Sequence, residues 1–316
     1  MRIKFIICCF FFICTKVLAK ETAFGYLTCS STNIGDLFQS IAAKQFLPQE
    51  AIAIDRDLIS QFQHSSKINT IVNGWFMHAK GVYWERQDIE PPAKSWPPAN
   101  SIDPFFISVH FTEKFYDQAF SREGIEYLLK HAPIGARDIA TLQALEKRGI
   151  PSYFSGCLTL TLENSYTERD DIVYIVDLEP KHINYIKAHT QCKTVVLSHS
   201  KPILALLNEE QKLKYAESIL DLYRKAKCVV SGRLHAAMPC LAFKTPFLLI
   251  TKDDESRYPG LLEHTWHCDE RELLEGKVDY DFNHPPANPT TYLPIRENLI
   301  KRVKDWLNTK KQRTHV

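Results

Sequence analysis

Short apolar runs alternate with helix-length segments along this chain of 316 residues, and this alternation restricts the fold more than any other feature. Strands are predicted at 24–28, 51–54, 68–72, 105–110, 153–162, 172–176, 194–198, 228–230 and 247–251. Helices are predicted at 36–46, 122–131, 139–148, 209–226, 234–238 and 294–307. Because strands that are separated by helices usually pair in parallel, the sequence predicts an α/β fold with a parallel sheet in each half.

A polar stretch at 163–171 separates two such series of strands, and the chain is long enough for two domains of ordinary size. We therefore expect Rossmann-like domains at 22–165 and 166–290, followed by a C-terminal helix and basic tail at 291–316. The last helix is expected to pack back across the first domain. The proline-rich segment 87–104 is expected to be an ordered loop.

The overall composition is that of a soluble globular protein, with 45% hydrophobic and 24% charged residues. The 39 Lys and Arg residues nearly balance the 37 Asp and Glu residues, so the net charge is only +2. Nucleic-acid-binding domains usually carry a strong basic excess, and no nucleic-acid partner is therefore expected.

The N-terminus has the order of features that is typical of a secretory signal. Arg2 and Lys4 precede an apolar run at 5–14, and the sequence Val-Leu-Ala follows at 17–19 as the predicted exit from the signal. We predict a signal peptide or signal anchor at 1–19, a location in the secretory pathway or at a membrane, and membrane contact only through this segment. A hydrophobic N-terminal strand in a cytoplasmic protein is the alternative.

Six cysteines follow the predicted signal, and no pair of them has the spacing of a zinc site. No metal site is therefore predicted. Several of these cysteines lie in apolar strand or helix segments, where a buried free thiol is common. The sequence permits disulfides without indicating them.

The stretch CVVSGRLHAAMP at 228–239 places an arginine and a histidine where a strand turns into a helix. Ser231 and Gly232 form the predicted turn, at the carboxyl end of a strand, where α/β proteins bind ligands. Arg233 offers a forked, permanently charged donor for phosphate or carboxylate, and His235 exchanges a proton near neutral pH. Either residue alone is more often structural, but together at such a turn they indicate chemistry on an anionic substrate.

Four motifs give the chain a resemblance to a known family. They are NIGD at 33–36, IVNG at 71–74, GARDIATLQALEKRGI at 135–150 and SGRLHAAMPCLAFKTPF at 231–247. Together they resemble the polysaccharide pyruvyl transferase family over residues 33–251, and the last motif is the most diagnostic of the four.

The resemblance implies a fold like that of two-domain glycosyltransferases of the B type, with a cleft between the domains. It implies transfer of a carboxyethylidene group from phosphoenolpyruvate to two hydroxyls of a glycan or glycolipid, which forms a cyclic ketal. Phosphoenolpyruvate is then a co-substrate, and no cofactor is expected. The first domain would bind the acceptor and the second domain the donor.

The resemblance also assigns roles to individual residues. Arg233 and His235 match the donor-site arginine and histidine of the family, and Arg137 matches a second donor-binding arginine. His235 is then the general acid and base. Further substrate-binding residues are expected on both sides of the cleft: Asn33, Gly35, Asp36, Asn73, Gly74, Asp138, Ser231 and Gly232.

Several of these assignments have structural alternatives that the sequence leaves open. Asp138 either orients Arg137 or caps the following helix, and the NIGD motif either contacts the acceptor or only starts a helix. The family commonly has consecutive glycines where this chain has Trp75 and Phe76 after Gly74. These rings either reshape the acceptor pocket or indicate that the activity has drifted. Trp75, Trp84 and Trp96 either stack on sugars or pack in the core.

Two other functions also remain open. A nucleotide-sugar glycosyltransferase of similar fold would need a carboxylate for the ribose, and Glu179 lies too far in sequence from the 231–236 turn to be a good candidate. A non-catalytic glycan-binding homologue would keep the fold without turnover. Binding of phosphoenolpyruvate rather than nucleotides would distinguish a pyruvyl transferase from the glycosyltransferase. Turnover would distinguish it from the non-catalytic homologue.

Overall fold

The computed structural model describes residues 22–77, 95–251 and 258–312, and in these ranges eleven strands form two parallel sheets. The first sheet has the order β2-β1-β3-β4-β5-β6. Its strands are β1 (Phe24–Thr28), β2 (Ile52–Asp55), β3 (Ile68–Phe76), β4 (Ile102–Phe111), β5 (Ile134–Ala136) and β6 (Ser152–Phe154).

The second sheet has the order β11-β10-β9-β7-β8. Its strands are β7 (Ile172–Val176), β8 (Lys193–Leu197), β9 (Cys228–Ser231), β10 (Phe247–Thr251) and β11 (Trp266–Asp269). The mixed α/β architecture with parallel sheets is therefore confirmed, and it is consistent with Rossmann-like domains. The domain borders at 165/166 and 290/291 stay a prediction.

The described helices connect these strands or follow them. They are α1 (Ile34–Lys44), α2 (Tyr116–Ala119), α3 (Arg122–Lys130), α4 (Ile139–Glu146), α5 (Pro180–Ala188), α6 (Glu209–Lys225), α7 (Leu234–Ala242), α8 (Glu270–Leu274) and α9 (Leu293–Gln312). Helix α1 begins with Asn33 as its N-cap, whose side chain accepts a hydrogen bond from the Gly35 amide. No helix in the described ranges combines the length and apolar character needed to cross a bilayer.

Each sheet reverses its strand order once, and these reversals determine where a site can form. The order changes direction between β1 and β3 in the first sheet and between β7 and β9 in the second. Loops that leave the carboxyl ends of neighbouring strands diverge at such a point and leave a crevice for ligands. The NIGD loop follows β1, and the 231–236 turn follows β9, so both motifs lie at these reversals.

The strand predicted at 68–72 does not end before Asn73 and Gly74. Strand β3 continues through both residues to Phe76, and its register against β4 shifts between Val72 and Gly74. Gly74 has a φ of 144°, which L side chains rarely adopt, so the chain accommodates a β-bulge here rather than a turn. Trp75 consequently lies on a strand, paired with His110 of β4.

Other boundaries also differ from the sequence predictions. The run 153–162 is not one strand, because β6 ends at Phe154 and a 3₁₀ turn covers Leu158–Thr161. Helix α7 does not end at Pro239, since burial of all nine of its residues outweighs one missing backbone hydrogen bond. The predicted loop 87–104 is described only from 95 onward, and β4 already begins at Ile102.

The largest group of buried apolar residues joins the two sheets. It includes Phe38 of α1, Tyr223 of α6 and Leu241 of α7, which come from both halves of the chain. Helix α9 packs on the first sheet, where Trp306 stacks on Phe105 with ring centroids 5.0 Å apart. The last helix thus lies against the first half of the chain, as predicted.

The six cysteines that follow the predicted signal are free thiols in the structure. Five of them are buried, and only Cys192 is partly exposed. Burial raises the pKa of the Cys228 and Cys268 thiols to about 12, so these groups stay protonated near neutral pH. They are therefore packing residues rather than reactive ones.

Candidate active site

A narrow pocket lies between the carboxyl ends of the two sheets. Its lining comes from both halves of the chain: Asn33, Trp75, Arg137, His199, Arg233, Leu234 and His235. The space between these side chains has room for about one water molecule. The pocket therefore concentrates two guanidinium groups and two imidazoles in a small volume.

The turn after β9 is held by side-chain and backbone hydrogen bonds. Ser231 Oγ donates to the Val176 carbonyl of β7 at 2.9 Å and accepts from the Arg233 amide at 3.0 Å. The Tyr258 hydroxyl donates to the Gly232 carbonyl at 2.9 Å. These bonds fix Arg233 at the N-cap of α7 and His235 in its first turn.

Arg233 forms an ion pair with a carboxylate that the sequence analysis did not single out. Its Nε donates to Asp177 Oδ2 at 3.0 Å, and its side chain is 38% exposed. Its two terminal nitrogens make no hydrogen bond within the described part of the chain, so they remain available to an anion. Burial raises the pKa of Asp177, but hydrogen bonds from Ser198 and His199 and the charge of Arg233 outweigh burial and lower it.

Asp177 also occupies an unusual backbone conformation. It follows β7 directly and has a φ of 51°, in the left-handed region. A non-glycine residue is held in this region only where its surroundings compensate for the strain. Here the Asp177 amide donates to the Leu197 carbonyl at 3.1 Å, and Asp177 Oδ2 accepts from the His199 amide at 2.9 Å.

His235 packs directly against the first turn of α1. A Cβ atom placed on Gly35 would lie 3.0 Å from His235 Cβ and 3.3 Å from its Nδ1. Only a glycine allows the imidazole this close to the helix without displacement. Gly35 was expected to shape the acceptor side, which stays a prediction, and in the structure it lies against His235, which is 8% exposed.

Arg137 is almost fully buried, with 1% exposure, and lies directly after β5. Its Nε is 3.4 Å from Asp138 Oδ2, and the same oxygen is 2.5 Å from His110 Nδ1. Asp138 Oδ1 accepts from the Thr141 amide at 2.9 Å and so caps α4. Asp138 therefore both caps the helix and pairs with Arg137, which answers the alternative that the sequence left open.

The charges around Asp138 change its acidity. Burial raises the pKa of its carboxyl group, but the hydrogen bond and charge of His110, together with Arg137, lower it to a larger extent. Asp138 is therefore ionised at neutral pH. It does not line the pocket itself, but its carboxylate pairs with Arg137 and contacts His110.

A short backbone contact joins the two halves of the chain beside the pocket. Asn33 and Ser200 form an isolated antiparallel bridge, and the Ile34 amide donates to the His199 carbonyl at 2.9 Å. The Lys201 amide donates to the Thr32 carbonyl at 2.9 Å. The start of α1 and the loop after β8 are thus held in one arrangement.

The remaining predicted site residues do not line the pocket. Asp36 is buried, with Oδ2 3.4 Å from Arg56 Nη1, and the Asn73 side-chain Nδ2 donates to the Gln39 carbonyl at 2.9 Å. Gly74 forms the bulge in β3, and Ser231 and Gly232 shape the turn beneath Arg233. These residues support the site from the inside of the fold.

The three tryptophans of the sequence analysis have different surroundings. Trp96 is 4% exposed and packs edge-on against Phe76, Phe111 and Phe115, so it belongs to the core. Trp75 lines the pocket, with its ring tilted against that of His110. Trp84 lies outside the described residues.

Sequence reasoning missed three residues of this region: His110, Asp177 and His199. Each is a polar residue at, or just after, the carboxyl end of a strand, and that position was the available signal. A single polar residue after a strand is too common for the sequence alone to distinguish these three. The contacts that distinguish them involve residues far apart in the chain.

The chain matches the model of a known protein family. The family model described as polysaccharide pyruvyl transferase matches residues 33–254, which is more than half of the chain. The matched range contains all seven residues that line the pocket. No curated protein matches the chain.

Proposed function

The chain belongs to the polysaccharide pyruvyl transferase family, and on that basis we propose that it transfers a carboxyethylidene group from phosphoenolpyruvate to a glycan. Two hydroxyls of the glycan or glycolipid acceptor would form a cyclic ketal with the pyruvyl carbon. No cofactor takes part in this proposal, since phosphoenolpyruvate supplies the transferred group. The single observation that carries it is the pocket where Arg137, Arg233 and His235 meet.

The charges of the pocket suit this donor. Phosphoenolpyruvate carries a phosphate and a carboxylate, and two guanidinium groups from opposite sides of the pocket can each pair with one of them. The 38% exposure of Arg233 makes it the more accessible of the two arginines, while Arg137 is fixed by Asp138. Because the pocket is so small, the donor enters only if side chains or the two sheets move apart.

The proton balance of the reaction gives His235 its role. One acceptor hydroxyl adds to C2 of phosphoenolpyruvate as C3 becomes a methyl group, and the second hydroxyl displaces the phosphate. Of the two hydroxyl protons, one ends on C3 and the other on the released phosphate. An imidazole can take up and deliver such protons near neutral pH, and we assign both transfers to His235.

The remaining features of the proposal concern the acceptor and the location. We propose that the two sheets form a cleft like that of B-type glycosyltransferases, with the acceptor on the side of the first sheet. Trp75 would then offer a ring for a sugar beside the donor. The predicted signal at 1–19 lies outside the described residues, and a lumenal location would require delivery of phosphoenolpyruvate across a membrane.

The nucleotide-sugar alternative is disfavoured by the charges at the carboxyl edge of the second sheet. A wide pocket there is lined by four acidic residues and two basic ones: Glu179, Asp269, Glu270, Glu275, Lys181 and Arg271. Because like charges repel, the carboxylates of this pocket disfavour binding of the diphosphate group of a nucleotide sugar. Glu179 lines this pocket rather than the narrow one that contains Arg233.

The proposed reaction can be tested by mass spectrometry. A panel of galactosides, mannosides and glucosides is incubated with phosphoenolpyruvate and the protein. We expect phosphate release only when an acceptor is present, and a product that gains one carboxyethylidene group and loses it in mild acid. A hexose mass from nucleotide sugars, with nothing from phosphoenolpyruvate, would replace the proposal with a glycosyltransferase. Glycan binding without turnover of either donor would favour the non-catalytic homologue.

The contact between Gly35 and His235 gives a second test. In Gly35→Ala the added methyl group would push the imidazole aside by a few tenths of an ångström. We expect turnover to fall by about 10-fold, because small displacements of a catalytic group are costly. Steady-state kinetics and a thermal melt of the same variant measure this effect.

Gly149→Ala is the matched control for Gly35→Ala. Gly149 has a φ of 68°, and a Cβ there would meet nothing within 4 Å. The substitution therefore strains the backbone by about 1 kcal/mol without touching the pocket. Equal loss of turnover in the two variants would mean that Gly35 acts through stability rather than through His235.

A further inference from the structure

His199 is the second imidazole of the pocket, and neither the sequence motifs nor the proposed reaction gives it a role. It is 1% exposed and lies in the loop after β8. Its amide donates to Asp177 Oδ2 at 2.9 Å, and its carbonyl accepts from the Ile34 amide at 2.9 Å. Its ring packs edge-on against Phe38, with centroids 5.4 Å apart. The backbone and the ring are therefore held in place from several sides.

One ring nitrogen of His199 is bound to a buried phenol. The Nε2 atom lies 2.7 Å from the Tyr223 hydroxyl, and Tyr223 is fully buried in α6. Burial raises the pKa of Tyr223 far above its ordinary value, so the hydroxyl keeps its proton. Within the described ranges this hydroxyl has no other hydrogen-bond partner. Its proton must therefore be donated to Nε2, because a buried donor is rarely left unsatisfied.

This bond determines which nitrogen of the ring carries the proton. When Nε2 accepts, the proton of a neutral imidazole is on Nδ1. Burial lowers the pKa of His199 to about 3, against the opposing effect of Asp177, while Arg233 and Lys201 also lower it. The ring is therefore neutral near physiological pH, and its Nδ1 is an N–H donor.

The Nδ1 atom has no hydrogen-bond partner among the described residues and is shielded from solvent. Tyr223, which binds Nε2, does not line the pocket, whereas His199 does. The other lining residues include the two guanidinium groups proposed to hold an anion. A buried donor without a partner, at the wall of such a pocket, indicates that a ligand atom completes its hydrogen bonding.

We propose that His199 Nδ1–H donates a hydrogen bond to an anionic oxygen of the bound donor, as a third anchor beside Arg137 and Arg233. This inference rests on the proposed function, since it names a further binding residue of the same site. Because the His199 ring is neutral, its N–H group adds a directional hydrogen bond without adding positive charge to the pocket. Tyr223 is the positioning residue, because its hydroxyl keeps the proton of the ring on Nδ1.

Two substitutions by near-isosteres of histidine distinguish the roles of the two ring nitrogens of His199. In His199→Gln the side-chain amide reaches the position of Nε2, so it can still accept from Tyr223 but has no donor at Nδ1. In His199→Asn the amide reaches the position of Nδ1 and keeps a donor there. Calorimetric titration with phosphoenolpyruvate, and separately with inorganic phosphate, measures the dissociation constants of the wild type and both variants.

We expect His199→Gln to bind phosphoenolpyruvate about 10-fold or more weakly, as for loss of a hydrogen bond to a charged group. His199→Asn is expected to stay within about 3-fold of the wild type, because a donor remains. A parallel loss of inorganic phosphate affinity assigns the contact to the phosphate group, and an unchanged phosphate affinity assigns it to the carboxylate. Equal affinities of the two variants would overturn the proposal.

Two further measurements test the role of Tyr223 and the charge of the His199 imidazole. Tyr223→Phe leaves the pocket lining unchanged but no longer holds the proton of the His199 ring on Nδ1. We expect its loss of affinity for phosphoenolpyruvate to be smaller than that of His199→Gln. The affinity ratio of His199→Gln to wild type should be constant between about pH 5.5 and 8.5, because the ring is neutral throughout. A ratio that grows towards low pH, or an unchanged affinity in both His199→Gln and Tyr223→Phe, contradicts the inference alone. A wild type that binds neither anion contradicts the proposed function as well.

Discussion

His235→Gln is expected to lower the turnover number by about 100-fold or more while the affinity for phosphoenolpyruvate stays close to that of the wild type. The glutamine side chain fills a similar volume next to Gly35 but does not exchange protons near neutral pH. Both proton transfers to C3 and to the phosphate would then depend on water. Steady-state kinetics with saturating acceptor, combined with calorimetric binding of the donor, separates the two quantities.

Arg233→Ala provides the contrast to His235→Gln. It removes a charge-assisted hydrogen bond to the donor, which is worth about 1.5–3 kcal/mol, so we expect mainly a higher KM for phosphoenolpyruvate. Asp177 then loses its ion-pair partner at 3.0 Å, and a thermal melt shows whether the fold is retained. If both variants instead lose their cooperative melt, the two residues serve the structure rather than catalysis.

Asp138→Ala is expected to lower the free energy of unfolding by about 3–5 kcal/mol, as for removal of one partner from a buried ion pair. The substitution leaves Arg137, with 1% exposure, and His110 without their carboxylate. It also removes the N-cap of α4. Chemical denaturation monitored by circular dichroism measures the change.

Two control variants divide this loss into its parts. Asn208→Ala removes the N-cap of α6 without breaking a buried ion pair, so it should cost only about 1 kcal/mol. Asp138→Asn keeps an oxygen for the Thr141 amide and loses only the charge, so an intermediate value is expected. A loss in Asp138→Ala no larger than that in Asn208→Ala would show that the cap alone accounts for the effect.

The pH dependence of the Asp138 contribution follows from the lowered pKa of its carboxyl group in the folded state. A group with a lowered folded-state pKa stabilises the fold fully above its unfolded-state pKa, which is about 3.9 for aspartate. This contribution is lost as the pH falls through the folded-state pKa. The stability difference between wild type and Asp138→Ala should therefore be constant near neutrality and should shrink below about pH 4.

The amino-acid sequence alone was enough to predict the type of fold and the residues of the diagnostic turn. Alternating apolar runs and helix-length segments predicted parallel sheets, because burial on both faces of a strand requires a continuous apolar run. The strands at 24–28, 172–176 and 247–251 have the bounds that were predicted. The pairing of Arg233 with His235 was visible for a similar reason, since both lie within one local strand–turn–helix unit.

Local pattern failed where long-range contacts decide the conformation. The 71–74 segment looks like a strand followed by a turn, but pairing with β4 extends β3 to Phe76 and converts the glycine into a bulge. The 153–162 run has an apolar pattern that suits a strand, yet only its first two residues belong to β6. In both cases the neighbouring strand or its absence, rather than the local residues, sets the outcome.

The assembly of the pocket is likewise a property of the tertiary structure. Gly35 and His235 are 200 positions apart in the chain, and their contact exists only because α1 and α7 meet between the sheets. The links from Arg233 to Asp177, from Asp138 to His110 and from His199 to Tyr223 also join separate strands and helices. Such hydrogen bonds depend on distances of a few tenths of an ångström, which the packing of buried side chains determines and a linear pattern of residue types does not encode.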